Sequence, residues 1–217
     1  MTKIIGGVDF GVGSGDYSYS QNIQNREVVS STGAKGNVKM PTRSSLHDGN
    51  IIATVTYPTQ KWQLFYELKY PQFSPMFISD YYYYDVDDPS HPKVEGPLNE
   101  HTESTYLKAA FSPQHSLSVG RQIYSSKDKI GVNKWYIRGG LQTASVTFTQ
   151  GTMAYYAQNC NEKVIADDQL WGGTIGVSYI REDHGFLSAE VTHLEGKNLN
   201  GTQVNCNAGF RFNILGK

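Results

Sequence analysis

Apolar and polar residues alternate with a period of two along most of this chain, the signature of strands with one wet and one dry face. The clearest stretch is Lys61 to Tyr70. Trp62, Leu64, Tyr66, Leu68 and Tyr70 share one face, and Lys61, Gln63, Glu67 and Lys69 share the other, with Phe65 the exception. Val8, Phe10 and Val12 alternate with Gly7, Asp9, Gly11 and Gly13. Ile51, Ala53, Val55 and Tyr57 alternate with Thr54 and Thr56. Leu107, Ala109 and Phe111 alternate with Tyr106, Lys108 and Ser112, and Leu117 and Val119 open a further strand in which Arg121 falls on the apolar parity, predicting a bulge or a strand already leaving the bilayer. Trp135, Ile137 and Leu141 occupy odd positions, whereas Val146 and Phe148 occupy even ones, which predicts a turn or bulge near Gln142-Thr143. Trp171 to Tyr179, Leu187 to Val191 and Val204 to Ile214 complete the series.

The connections add a second regularity. Pro58-Thr59-Gln60, Ser112-Pro113-Gln114-His115 and Glu182-Asp183-His184-Gly185 read as tight turns. Longer links, near 18–49, 71–104, 126–134, 157–169 and 195–201, lie between them, and 18–49 and 71–104 have room for strand extensions. Short and long connections alternate, so the long ones gather at one end and both termini lie at the other. The expected fold is all-β, one domain over 1–217. It is a closed antiparallel up-and-down transmembrane β-barrel of about ten strands, within a range of about eight to twelve. Closure follows from solvation: in hydrocarbon every backbone amide and carbonyl needs an internal partner, and an open sheet edge has none.

Composition narrows the class. Charged residues are 18% of the chain and the net charge is −1, which does not fit a nucleic-acid-binding surface. No apolar run is long enough for a membrane helix. With 15 Tyr and 22 Gly, the chain favours strands and leaves many inward positions small. Met1-Thr2-Lys3 leads directly into an alternating segment without a signal peptide; a natural start there would exclude export by the usual route, but because the rest of the chain looks like an exported barrel it is read as the mature form, its signal peptide removed.

Asn207-Ala208-Gly209-Phe210-Arg211-Phe212-Asn213-Ile214 is similar to the C-terminal recognition signal of bacterial outer-membrane β-barrels: polar, any, Gly, two of any kind, hydrophobic, any, hydrophobic. The chain runs on through Leu215-Gly216-Lys217, where such barrels usually stop on an aromatic residue. The alternating strands, the loop asymmetry and this segment together resemble outer-membrane barrels in general. The resemblance implies a bacterial outer-membrane location and contact with the lipid bilayer.

Candidate chemistry then divides between lumen and loops. Asp9, Glu67, Lys69, Lys108, Arg138, Glu190 and Arg211 fall on the wet parity and are the expected lumen lining. Mixed charges there suit either a solute path or an interior network that plugs the barrel. Tyr81-Tyr82-Tyr83-Tyr84-Asp85-Val86-Asp87-Asp88 is the most distinctive loop. Its aromatic faces suit recognition; its acidic cluster matches no Ca²⁺ loop spacing, and no metal or cofactor is assigned. Cys160 and Cys206 are a disulfide candidate, both placed at the outer end. His193 lies on the lipid-facing parity near the outer end of its strand, without the Ser expected of a barrel-embedded deacylase. The expected function is a narrow channel for small polar solutes. The alternatives are a plugged barrel displaying loops for adhesion or recognition, and a soluble ligand-binding β-barrel. Catalysis is not expected, although a barrel-embedded hydrolase is a further possibility.

Overall fold

A computed structural model describes residues 4–29, 35–39, 43–59, 61–71, 76–77, 82–85, 93–94, 102–129, 131–154, 163–181 and 185–215. The strands are β1 (Ile4–Tyr19), β2 (Asn25–Val29), β3 (Lys35–Lys39), β4 (Arg43–Pro58), β5 (Trp62–Pro71), β6 (Met76–Phe77), β7 (Tyr82–Asp85), β8 (Lys93–Val94), β9 (Thr102–Phe111), β10 (Gln114–Lys127), β11 (Val132–Ala154), β12 (Lys163–Arg181), β13 (Gly185–Glu195) and β14 (Leu199–Leu215). One helical turn, α1 (Gln21–Gln24), follows β1.

Among the described residues, eight antiparallel strands close a hydrogen-bonded ring in the order β1-β4-β5-β10-β11-β12-β13-β14 and back to β1. Ile4 lies opposite Leu215, so the first and last strands of the ring begin and end at one rim. That rim, the inner end, also carries the short turns. Thr59 closes one of them: its N–H donates to the Trp62 carbonyl (2.8 Å), and the Trp62 N–H donates to its hydroxyl (3.2 Å). The link expected as a long loop at 126–134 is another inner turn, in which Asp128 Oδ1 accepts from the Gly131 N–H (2.9 Å). The third joins Arg181 to Gly185, which are paired; 182–184 lie outside the described residues.

Ser112-Pro113-Gln114-His115 is not a turn, and neither is Gln142-Thr143; these two merges bring the ring from about ten strands to eight among the described residues. β9 and β10 run end to end along β11. Phe111 faces Val146 and His115 faces Thr143, four steps on one strand against three on the other. A bulge absorbs the extra residue. The Ser112 N–H donates to the Ser145 carbonyl (2.9 Å), and the Ser145 N–H donates back to Ser112 Oγ (3.3 Å). A side-chain hydroxyl thus takes the place of a ladder carbonyl beside Pro113, which has no N–H to give. The links at 18–49 and 71–104 do contain strand extensions. Ser18 pairs with Arg43, β6 and β7 pair with β9, and β2 with β3 forms a separate hairpin.

Outward positions near the inner end are apolar and exposed, among them Val8, Phe10, Leu64, Leu117, Ile137, Ile175, Leu187 and Phe210. Tyr57, Trp62 and Trp135 flank this belt at the inner rim, and Tyr70 and Trp171 flank it at the outer one. Inward positions at the same height are buried and polar. An apolar outside around a polar inside is stable only against hydrocarbon, so the barrel is a membrane-spanning one.

Beyond Gln142 the polarity inverts while the strand phase does not change. On β11, Thr143, Ser145 and Thr147 face outward, and Ala144, Val146 and Phe148 face inward and are buried. The β11–β12 pairing runs unbroken from Asn133 opposite Arg181 to Phe148 opposite Ala166. The expected turn or bulge at Gln142-Thr143 is therefore absent: the solvent outside the wall changes there, not the backbone. Lys108 is corrected for the same reason. Ala109 is buried in the outer core and Phe111 packs against that core, so Lys108, of the opposite parity, faces away from the lumen.

Candidate functional site

The lumen is built in layers. At the inner end Phe65, Tyr136, Ile180 and Phe186 form an apolar cluster. Phe65, the exception to the alternation of its strand, is fully buried there, edge-on to Tyr136 at 6.2 Å. Gly120 leaves it room: a Cβ at that position would sit 2.8 Å from the Phe65 ring.

The ionic layer lies above. Arg138 Nη1 donates to Glu67 Oε1 (2.6 Å), and Arg138 Nη2 donates to Glu190 Oε2 (2.7 Å). Lys69 Nζ donates to Glu190 Oε1 and to Gln142 Oε1 (3.1 Å). Gln142 in turn donates to Gln114 Oε1 (2.8 Å). Two carboxylates and two cations from β5, β11 and β13 thus form one neutral cluster, with all four side chains at most 2% exposed. On the opposite wall Arg211 donates to both oxygens of Asp9, and Thr54 donates to Asp9 Oδ2 (2.8 Å). The Arg211 guanidinium stacks 3.7 Å from the Phe186 ring and covers Gly7, where a Cβ would collide with it. Six of the seven charges expected in the lumen are there; Lys108 is not.

Hydroxyls and amides continue upward. Thr192 donates to Thr174 (3.1 Å), and Asn207 donates to Ser188 (3.1 Å). Both polar side-chain atoms of Asn205, and Oδ1 of Asn50, have no partner among the described residues; buried amides of this kind take internal water. At the outer end Tyr17, Tyr19, Ile23, Ala144, Val146, Phe148, Leu170, Leu194 and Leu199 pack into a plug of buried side chains. Asp168 fixes this plug from the side. Its carboxylate accepts the backbone N–H groups of Lys197 (3.0 Å), Asn198 (2.6 Å) and Leu199 (3.2 Å), tying β12 to the β13–β14 turn. The sequence reading missed Asp168 and the plug. The available signal was the parity switch at Val146, which the outward Thr147 and Asp167 share; Thr147 donates to Asp167 at 2.8 Å.

Outside the plug, the wall presents a polar collar above Trp171. Ser145 donates to Gln169 (2.7 Å), and His193 Nδ1 contacts Thr202 Oγ1 (2.9 Å) and, through Nε2, Glu195 (3.4 Å). His193 stands where its parity placed it. Cys206 does not: it lies opposite Val12 and Ala189, halfway along the belt, exposed and unbonded, whereas the disulfide required it at the outer end. Cys160 lies outside the described residues. Of the loop candidates, Tyr82, Tyr83, Tyr84 and Asp85 form β7, which pairs with β9 and β8; Tyr81, Asp87 and Asp88 lie outside the described residues.

No family model matches the chain. No curated protein matches it. Among solved structures it is similar to Ail, the attachment invasion locus protein of Yersinia pestis, at 8% identity over 96% of this chain and 98% of that one, TM-score 0.46. A second structure of Ail, with the heparin analogue sucrose octasulfate, gives 9% identity over 98% and 100%, TM-score 0.44. Neisserial surface protein A gives 10% identity over 95% and 97%, TM-score 0.41.

Proposed function

We propose that this chain is a sealed outer-membrane barrel that works by recognition, holding an outward, loop-bearing face on a rigid support. The observation that carries the reading is the filling of the lumen. A neutral ionic layer is sandwiched between an aromatic floor and an apolar plug, so the charges expected to select a solute are spent on one another. Eight strands enclose a lumen that side chains just fill. The wall also continues past the belt with an inverted polarity, which makes the outer part of the barrel a water-facing platform for the connections at its end. A narrow channel for small polar solutes, the function expected from the sequence, loses its support with that packing.

Two measurements test this together. Folded protein in planar bilayers is expected to give no stepwise conductance, and proteoliposomes no swelling in small sugars or amino acids. Cells displaying the chain are expected to adhere to immobilised glycans or matrix proteins, and to lose adhesion when 75–100 are replaced by a short Gly-Ser link. Discrete conductance from the intact barrel, or adhesion untouched by the deletion, overturns the reading.

A further inference from the structure

We infer that the lipid-facing wall carries a site for one anionic phospholipid of the leaflet at the inner rim. The inference rests on the membrane-spanning reading and adds a ligand to it. On β13 and β14 the outward side chains shrink to Ala189, Cys206 and Ala208, opening a furrow of about 500 Å³. Phe10 walls it on one side, and Trp135 and Tyr179, in ring contact at 5.0 Å, wall it on the other. A second hollow continues from it along Tyr179, Leu187 and Ala208 to Arg181 and Gly185 at the rim. From Gly185 to Ala189 is four residues, about 13 Å along the strand. At a strand tilt near 40° that is about 10 Å of depth, within one leaflet of a roughly 30 Å hydrocarbon core.

Charge decides what fills it. The furrow is apolar over its length and ends on one cation. Among the described residues, Arg181 pairs with Asp128 at 3.6 Å, and its Nε is buried without a hydrogen-bond partner. A guanidinium in that state at the headgroup level matches a phosphate, whose oxygens can take two parallel N–H donors. A phosphate at Arg181 places an acyl chain in the furrow above it. A second copy of the barrel would fill the apolar part and leave Arg181 unanswered.

The furrow contains its own reporter. Trp135 lines it, whereas Trp62 and Trp171 are absent from its walls. The experiment uses W62F/W171F protein folded in phosphatidylcholine vesicles that contain a minor fraction of brominated phosphatidylglycerol. Bromine on the acyl chain quenches an adjacent indole. Trp135 quenching is expected to exceed that by the same fraction of brominated phosphatidylcholine about fivefold in apparent affinity, a ratio within the range of a partly exposed ion pair. R181Q is expected to bring the two lipids level. A208F, which fills the furrow, is expected to weaken quenching by both, with folding checked by heat-modifiable migration. Equal quenching by both lipids in the parent overturns the inference, as does a preference that survives R181Q. Cys206–Cys206 cross-linking in a C160S background, abolished by A208F, overturns it in favour of a second copy. No quenching by brominated phosphatidylcholine in any variant instead removes the membrane reading itself.

Discussion

Replacing Arg138 by Ala is the most direct probe of whether the lumen is sealed. Arg138 is 3% exposed and bonds one carboxylate on each side, at 2.6 and 2.7 Å. At an effective dielectric near 20 each contact is worth about 6 kcal/mol of gross attraction, most of which offsets the desolvation of the charges. Removing the cation leaves that desolvation in place for Glu67 and Glu190, with Lys69 alone to answer two carboxylates. A broken buried pair costs about 3–5 kcal/mol, whereas an exposed pair costs about 0–1 kcal/mol. The guanidinium also lies 4.8 Å from the Phe65 ring, and the substitution removes that cation–π attraction as well. The assay is reversible urea unfolding in lipid vesicles, followed by tryptophan emission. R138A is expected to lose about 3–5 kcal/mol, and R138M/E67Q, which restores neutrality around Lys69 and Glu190, to regain most of it. A loss under about 1 kcal/mol for R138A would mean that water already solvates the cluster. The sealed lumen, and the function proposed on it, would then fail.

Three further outcomes follow from the same packing. F148A empties part of the outer plug and is expected to cost about 3–5 kcal/mol in the same unfolding assay, while T147A, on the opposite face of the same strand, is expected to stay within about 0.5 kcal/mol. D168A removes the acceptor of three backbone N–H groups, each charge-assisted bond worth about 1.5–3 kcal/mol; hydrogen exchange at Lys197–Leu199 is expected to accelerate while the belt amides stay protected. C206R places a cation at mid-belt and is expected to cost about 2–4 kcal/mol, whereas an Arg replacing Gln169, above the belt, is expected to cost close to nothing; equal effects at the two sites would misplace the membrane.

Much of this was legible in the alternation. Where one strand stays within the bilayer, parity alone assigned the face: Val8, Phe10 and Val12 point outward and Asp9 inward, as expected, and Glu67 and Lys69 meet Arg138 and Glu190 because all four share the wet parity. The errors arose where parity and chemistry separate. A strand leaving the membrane keeps its phase but exchanges its solvents, so an apolar residue changes from lipid-facing to core-facing. Val146 and Phe148 therefore suggested a turn, and Ala109 and Phe111 put Lys108 on the wrong face. Pro113 misled differently. Proline after serine reads as a turn, but the Ser112 hydroxyl supplies the hydrogen bond that keeps the strand in line. Cys206 was misplaced because the strand beginning at Leu199 runs five residues above the first apolar outward position, Val204, a length of wall that no local pattern announces.

The inversion also explains how so short a belt can support a firm outer face. In the bilayer, lipid presses on an apolar exterior and contributes nothing to lateral packing, so the wall there is set by backbone pairing and by the ionic layer inside. Above the belt the wall faces water on the outside, and the ordinary hydrophobic effect acts on its interior. Phe148, Leu170, Leu194 and Leu199 are each at most 2% exposed and come from four consecutive strands of the ring. Burying such side chains contributes about 1.5–3 kcal/mol apiece, which opposes splaying of the strand ends where loops begin. On the proposed sealed reading the cost is permeability: the same side chains that stiffen the rim occupy the mouth. A barrel shaped for passage would need its outer interior polar and open, with large loops held back by other means. This one places aromatic and aliphatic volume at the mouth and polar ladders on its outer surface, the arrangement that favours a fixed surface over a path through it.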